Sequence, residues 1–296
     1  MAYPLEAVPN FSEGRDRSTI DALAEALGAR ARLLDIHSDP DHNRSVFTLA
    51  GAEEELVAAL LAGVAVAKER IDLLAHEGVH PCVGVADVLP LVAVRPEDGE
   101  RARKAALRVG ERVGAELRLP VFLYGETNER GLAELRRGGP LELARRIESG
   151  EIVPDFGPAR LDARSGAVLV GARRPLVAFN VNLRGDIEAA RSIAAAVREG
   201  GSHGFAGVRA LGLELRSIGL VQVSMNVEDW QASALHEIVD VIEREAAARG
   251  VEVVGSELVG LIPEGAALEA ARFSLGLPRL ERSQILEARL LDQAEE

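Results

Sequence analysis

The chain has 296 residues, 34 of them basic and 47 acidic, for a formal charge of −13. That length exceeds one ordinary compact core and suits two modest domains of roughly 150 residues each, while the negative balance argues against a nucleic-acid binder, which needs a basic face. No apolar run approaches the ~20 residues of a membrane span, the first residues lack the basic-then-apolar pattern of a signal peptide, and Cys82, the single cysteine, fits a reducing cytoplasm.

Pro4 to Pro9 reads as an extended segment closed by Asn10-Phe11-Ser12-Glu13-Gly14. A helix follows, with Ser18 as N-cap and Ile20, Leu23, Ala24 and Leu27 as its apolar stripe. Ala31 to Ile36 and Ser45 to Leu49 are paired strands around the polar loop His37–Arg44. Glu53 to Ile71 is a second helix, and Val83 to Val94 a strand after His76-Glu77-Gly78-Val79-His80-Pro81. A helix over Pro96–Leu117, a strand over Pro120–Tyr124, a polar region over Gly125–Ile152 and a strand over Ala167–Val170 come next. The first order then repeats. Leu176–Leu183 is a strand, Asp186–Glu199 a helix, Val208–Leu215 and Leu220–Asn226 strands, Trp230–Arg249 a helix and Glu252–Pro263 a strand. The tail from Ala266 reads as one or two helices.

Two β-α-β-β-α-β units predict an α+β protein of two ferredoxin-like subdomains, residues 1–172 and 173–296. The sheets are expected to face each other with helices outside, leaving a ligand cleft between them.

Four of the six histidines, His37, His42, His76 and His80, fall within 44 residues, in loops at strand ends. His80 precedes Pro81, which favours an extended backbone at the mouth of a strand. An imidazole there suits a general base, and the competing reading is a loop histidine without a role. His37, Asp39, Asp41 and His42 are metal ligands by type, but a turn capped by its own side chains accounts for them as well, and no metal is expected. Asn43-Arg44 offers a fork for a carboxylate. Asn180 and Asn182 share one face of a strand with the like pattern of Ser224 and Asn226, which points to a polar cavity or to a solvated sheet face. The glycine-bounded segment Gly157-Pro158-Ala159-Arg160-Leu161-Asp162-Ala163-Arg164-Ser165-Gly166 matches neither a Walker loop nor a dinucleotide fingerprint. It is either an anion-approaching loop or a surface connection. A Cys82–His80 nucleophile pair is a weak option.

In order along residues 4–265, several short stretches resemble the formiminotransferase family. They are Val8-Pro9-Asn10-Phe11-Ser12-Glu13-Gly14, Asn43-Arg44, His80-Pro81 with Gly84 and Asp87-Val88, Leu123-Tyr124-Gly125-Glu126, and Pro154-Asp155-Phe156-Gly157-Pro158. Gly171-Ala172-Arg173, Ala178-Phe179-Asn180-Val181-Asn182-Leu183, Gln222-Val223-Ser224, Ala234-Leu235-His236 and Val254-Gly255-Ser256-Glu257-Leu258-Val259-Gly260-Leu261 complete the set. The resemblance implies two ferredoxin-like halves and transfer of a formimino group from N-formimino-L-glutamate to N5 of tetrahydrofolate, a co-substrate. It also implies a homodimer. By similarity, His80 is catalytic, Gly157 to Gly166 contacts the folate, and substrate contacts fall on Asn10, Glu13, His37, Asn43, Arg44, Tyr124, Gly125, Asn180 and Asn182. Anion contacts are sought at Arg44, Arg160, Arg164 and Arg173 because both substrates carry carboxylates. Three positions depart from the animal bifunctional members: Cys82 stands for an arginine, His37 for an aspartate, and Ser165 for a tryptophan. No cyclodeaminase domain, and hence no ammonia release, is expected. The alternatives are a related formyl or one-carbon transferase and a non-catalytic folate- or metal-binding protein.

Overall fold

The computed structural model describes residues 3–289 and divides into two units, one running through Pro175 with Leu215–Ile218 added, the other comprising the remainder.

In the first unit, β1 (Leu5–Ala7) and β2 (Asn10–Phe11) are two pieces of one strand interrupted at Val8-Pro9. Then come α1 (Arg17–Gly28), β3 (Arg32–Asp39), β4 (Arg44–Gly51), α2 (Glu53–Arg70) and β5 (Ala86–Val92). Both β1 and β2 lie antiparallel between β4 and β5, and β3 pairs with β4 on the outside. This is the strand order of a split βαβ unit. The helix α1 starts one residue before the expected cap. Asp16, not Ser18, is the N-cap; its carboxylate accepts from Ser18 N and from the Thr19 hydroxyl.

Two further strands extend this sheet in parallel. α3 (Gly99–Arg112) leads, through a widened π turn, to β6 (Val121–Gly125), and β7 (Val168–Arg173) inserts between β5 and β6. Alternation then divides the side chains between two cores. Leu89, Leu91, Val121, Leu123, Val168 and Val170 pack with α1, α2 and α3. Val88, Phe122, Tyr124 and Leu169 pack on the opposite face with Leu135, Leu143 and Ile147.

Those last three residues belong to α4 (Leu132–Arg136) and α5 (Gly139–Glu148), inside the stretch expected to be a polar region. Helices therefore cover both faces of the β5–β7–β6 part of this sheet. The two helices are short and rich in Arg and Glu, so their apolar stripe is only a few residues long.

The second unit holds β8 (Val177–Arg184), α6 (Ile187–Val197), β9 (Val208–Leu215), β10 (Leu220–Val227), α7 (Leu235–Ala248), β11 (Glu252–Val259) and α8 (Glu264–Leu275). Its sheet runs β11-β8-β10-β9, again the split βαβ order. Val181, Leu183, Val221 and Val223 meet Ile193, Ile238 and Ile242 in the core. The helix expected from Trp230 begins instead at Leu235. Asp229 turns the chain first by accepting from Ala232 N, and Ser233 bonds the Ala206 carbonyl. Among the described residues no helix is long and apolar enough to cross a membrane.

Candidate active site

Three loops converge in the first unit, and Asn43 ties them together. Its backbone is left-handed (φ 47°), which Asn tolerates better than most residues. Its buried side chain accepts from Gly14 N at 2.9 Å and donates to the Glu77 carbonyl and to His76 Nδ1, each at 3.2 Å. Val79 N donates to the Asp41 carbonyl. Gly78 approaches so closely that a Cβ there would sit 2.3 Å from the His42 carbonyl oxygen. The His76–Pro81 segment is thus pressed onto the entry to β4.

That docking places Arg44 Nη1 2.7 Å from His80 Nε2 and stacks the His42 ring on that of His80, centroids 5.8 Å apart. A guanidinium only donates, so His80 Nε2 is the unprotonated, accepting nitrogen. Burial holds the His80 pKa well below its ordinary value, the charges of Arg44 and Arg136 and the neighbouring His42 lower it further, and a backbone hydrogen bond at Pro81 opposes them. At neutral pH His80 is a neutral imidazole. Burial and the charge of Arg136 bring Arg44 down to about 10, against the pull of Asp87 and Asp39, so it stays cationic.

Together with Ser12, His76, Cys82 and Asp87, these groups line a cavity of about 10 Å³. Asp87, the second residue of β5, accepts from Val83 N at 2.9 Å and from Arg136 Nη2. Arg136 closes α4, so the helix missed in the sequence supplies a charge to the site. The Cys82 thiol is pushed up to about 11, first by burial and then by Asp87. It is protonated and a poor nucleophile, which removes the support for a Cys–His pair.

The other expected residues fall into separate places. Asn10 Nδ2 donates to the Val8 carbonyl, and Glu13 Oε1 accepts from Arg15 N and Asp16 N, closing the turn into α1. His37 lies on β3 opposite Val46. Asp39 accepts from Asp41 N and His42 N, and Asp41 from Ser217 N and Oγ, so these carboxylates serve as loop caps. Among the described residues no group of three or more His, Cys, Asp and Glu is arranged to hold a metal. Tyr124 is the penultimate residue of β6 with its ring buried, and Gly125 ends the strand with φ 65°.

The Gly157–Gly166 segment is strapped to the His80 segment at its far end. Leu73 N donates to the Arg164 carbonyl, Val85 N to the Ser165 carbonyl and Ala167 N to the Val83 carbonyl. Gly166 has φ 71°, and a Cβ there would lie 2.1 Å from the Val83 oxygen. The Ser165 hydroxyl donates to Asp162, and Arg164 Nε to Asp72. Pro158 to Arg160 reach the surface, Arg160 exposed.

In the second unit, Asn180 and Asn182 lie on the sheet face opposite its helices. Register sets Ser224 and Glu257 beside Asn180, and Gln222 and Gly255 beside Asn182. Gln222, fully buried, donates to Asn182 Oδ1 at 2.9 Å and Glu257 Oε2 at 3.3 Å, and Asn180 Nδ2 also donates to Glu257. Gln222 and Glu257 were not singled out as site residues. The signal was a polar side chain opposite each Asn on a neighbouring strand.

Comparison with known proteins gives two family matches in chain order: the formiminotransferase domain, N-terminal subdomain, over residues 4–173, and the formiminotransferase domain over residues 178–291. A glutamate formimidoyltransferase of Thermoplasma acidophilum is 37% identical, covering 97% of each chain. One from Streptococcus pyogenes serotype M1 is also 37% identical, over 98% of this chain and all of that one. A formimidoyltransferase-cyclodeaminase of Rattus norvegicus is 38% identical over 92% of this chain and 52% of its own length.

Proposed function

The chain belongs to the formiminotransferase family, and on that premise we propose that it transfers the formimino group of N-formimino-L-glutamate to N5 of tetrahydrofolate, releasing glutamate and 5-formimidoyltetrahydrofolate. The observation that carries this reading is a neutral His80 on the wall of a cavity, its unprotonated Nε2 held by the guanidinium of Arg44.

In the proposed reaction N5 attacks the formimino carbon, and a C–N5 bond forms. The N5 proton goes to His80 Nε2. The imidazolium then gives that proton to the α-nitrogen of the glutamate, and the bond from that nitrogen to the former formimino carbon breaks. The depressed pKa suits both halves: the imidazole starts unprotonated and surrenders its proton readily. Arg44 is the anion contact for the donor. The strap Gly157–Gly166 serves the tetrahydrofolate, and its attachment beside His80 supports that reading. Holding two substrates in one geometry supplies a large share of the rate, on the order of 7 kcal/mol in good cases.

The test is a transferase assay on wild type and His80→Ala. Loss of general acid–base catalysis costs about 10²–10⁴ in turnover, and tetrahydrofolate binding persists. Undiminished turnover in the variant refutes the role given to His80.

A further inference from the structure

We propose that Arg44 is a carboxylate-operated latch on His80: its guanidinium holds Nε2 in this conformation, and the carboxylate of the formimino donor draws it away, freeing the base when the donor is bound. The inference rests on the transferase reading of this site and goes further, giving Arg44 a positioning role besides anion binding.

The lone pair that the proposed base needs is already taken. Arg44 Nη1 sits 2.7 Å from it, and no general base acts through a nitrogen engaged with a cation. Arg44 is also held incompletely. Its Nε is buried with no hydrogen-bond partner, as is Arg136 Nε. A buried donor without an acceptor is a standing cost, and an anion is the group that would relieve it. The nearest carboxylate on the cavity wall does not, because Asp87 is bound by Arg136 and Val83 N.

The space gives a third reason. A cavity of about 10 Å³ admits at most one water. Seating the reacting nitrogen of the donor against Nε2 requires the side chain that now holds that atom to move. Arg44 is the long, unbranched candidate whose displacement both opens the cavity and uncovers Nε2.

The electrostatics run the same way. The groups around the His80–Arg44 pair are Arg136 from α4, Asp87 and Cys82 from β5 and its lead-in, His42 and His76 from the loops, and Asp39 from β3, whose charge acts on Arg44. Pairing Arg44 with a carboxylate neutralises one of the two cations that depress His80. The imidazole becomes more basic at the moment its lone pair is released. Without donor, the base is blocked.

The experiment uses the full-length protein labelled with ¹⁵N-histidine at pH 7, without folate, titrated with L-glutamate as the carboxylate probe. The His80 resonance is assigned by its loss in His80→Gln. The Nε2 signal should shift saturably toward that of an unbonded neutral imidazole. In Arg44→Gln the signal should start at that position and stay there. The same variant should raise KM for the donor about tenfold or more, as expected for losing a hydrogen bond to a charged group, with a smaller change in kcat. Its acid limb of kcat/KM should lie at higher pH, and Arg44→Lys should restore part of both. A wild-type signal that stays fixed as glutamate binds overturns the latch, as does absence of glutamate binding or an Arg44→Gln signal like that of the empty wild type. A wild type that shows the shift but transfers no formimino group overturns the reaction and leaves the latch. A wild type that transfers the group with a fixed signal overturns the latch alone.

Discussion

Replacing Asp87 by Asn removes one charge and little else. Asp87 is 2% exposed, and it accepts from Val83 N and from Arg136, whose side chain is 16% exposed. The amide oxygen keeps the Val83 bond, but Arg136 is left as a nearly buried cation without its counter-charge. Breaking one partner of a buried pair costs about 3–5 kcal/mol, and the residual contact of Arg136 with water places this case near 3 kcal/mol. With a urea slope of about 3 kcal/mol per molar, the midpoint should fall by about 1 M. Far-UV circular dichroism follows the transition, while the fluorescence of Trp230 reports separately on the second unit. The unbalanced Arg136 charge should also move the acid limb of kcat/KM to lower pH, since it depresses His80 further. A midpoint within about 0.2 M of wild type, with an unmoved acid limb, refutes the pairing as the anchor of α4 on the site.

Two further outcomes follow from the same geometry. His80 and His76 both titrate below the ordinary 6.5 in the folded state, chiefly through burial. Below that pH the unfolded chain takes up protons that the folded chain refuses. Stability should therefore fall as pH drops beneath about 6.5 and be flat in this respect above it. Melting temperatures from pH 7 to pH 5 should show a shallower decline for His80→Gln than for wild type; parallel declines contradict the assignment. Gly166→Ala drives a Cβ to 2.1 Å from the Val83 oxygen at φ 71°. It should cost about 1–3 kcal/mol of stability and raise KM for tetrahydrofolate more than KM for the donor, whereas equal effects on the two contradict the role of the strap.

What was legible in the sequence follows from periodicity. The second β-α-β-β-α-β unit was readable because Val208–Leu215 alternates and α6 and α7 carry clean helical stripes; that strand has the expected bounds. The start of α7 was misplaced because an Asp229 turn, a local side-chain effect, outweighs helical spacing between 230 and 234. α4 and α5 escaped because five and ten residues carry too short a stripe. With α4 went Arg136. Asp87 entered only as part of the resembling stretch Asp87-Val88, because its partner lies 49 residues away and only the fold brings it near. The Arg44–His80 contact likewise spans 36 residues. Both residues were individually visible. Their pairing, which decides that the base is covered, was not.

The most direct test of the central claim is an assay of the purified protein with tetrahydrofolate and either N-formimino-L-glutamate or N-formyl-L-glutamate, following both the folate product and free glutamate. The account predicts one glutamate released for each 5-formimidoyltetrahydrofolate formed, much faster with the formimino donor. Preference for the formyl donor, or no transfer from either, contradicts it.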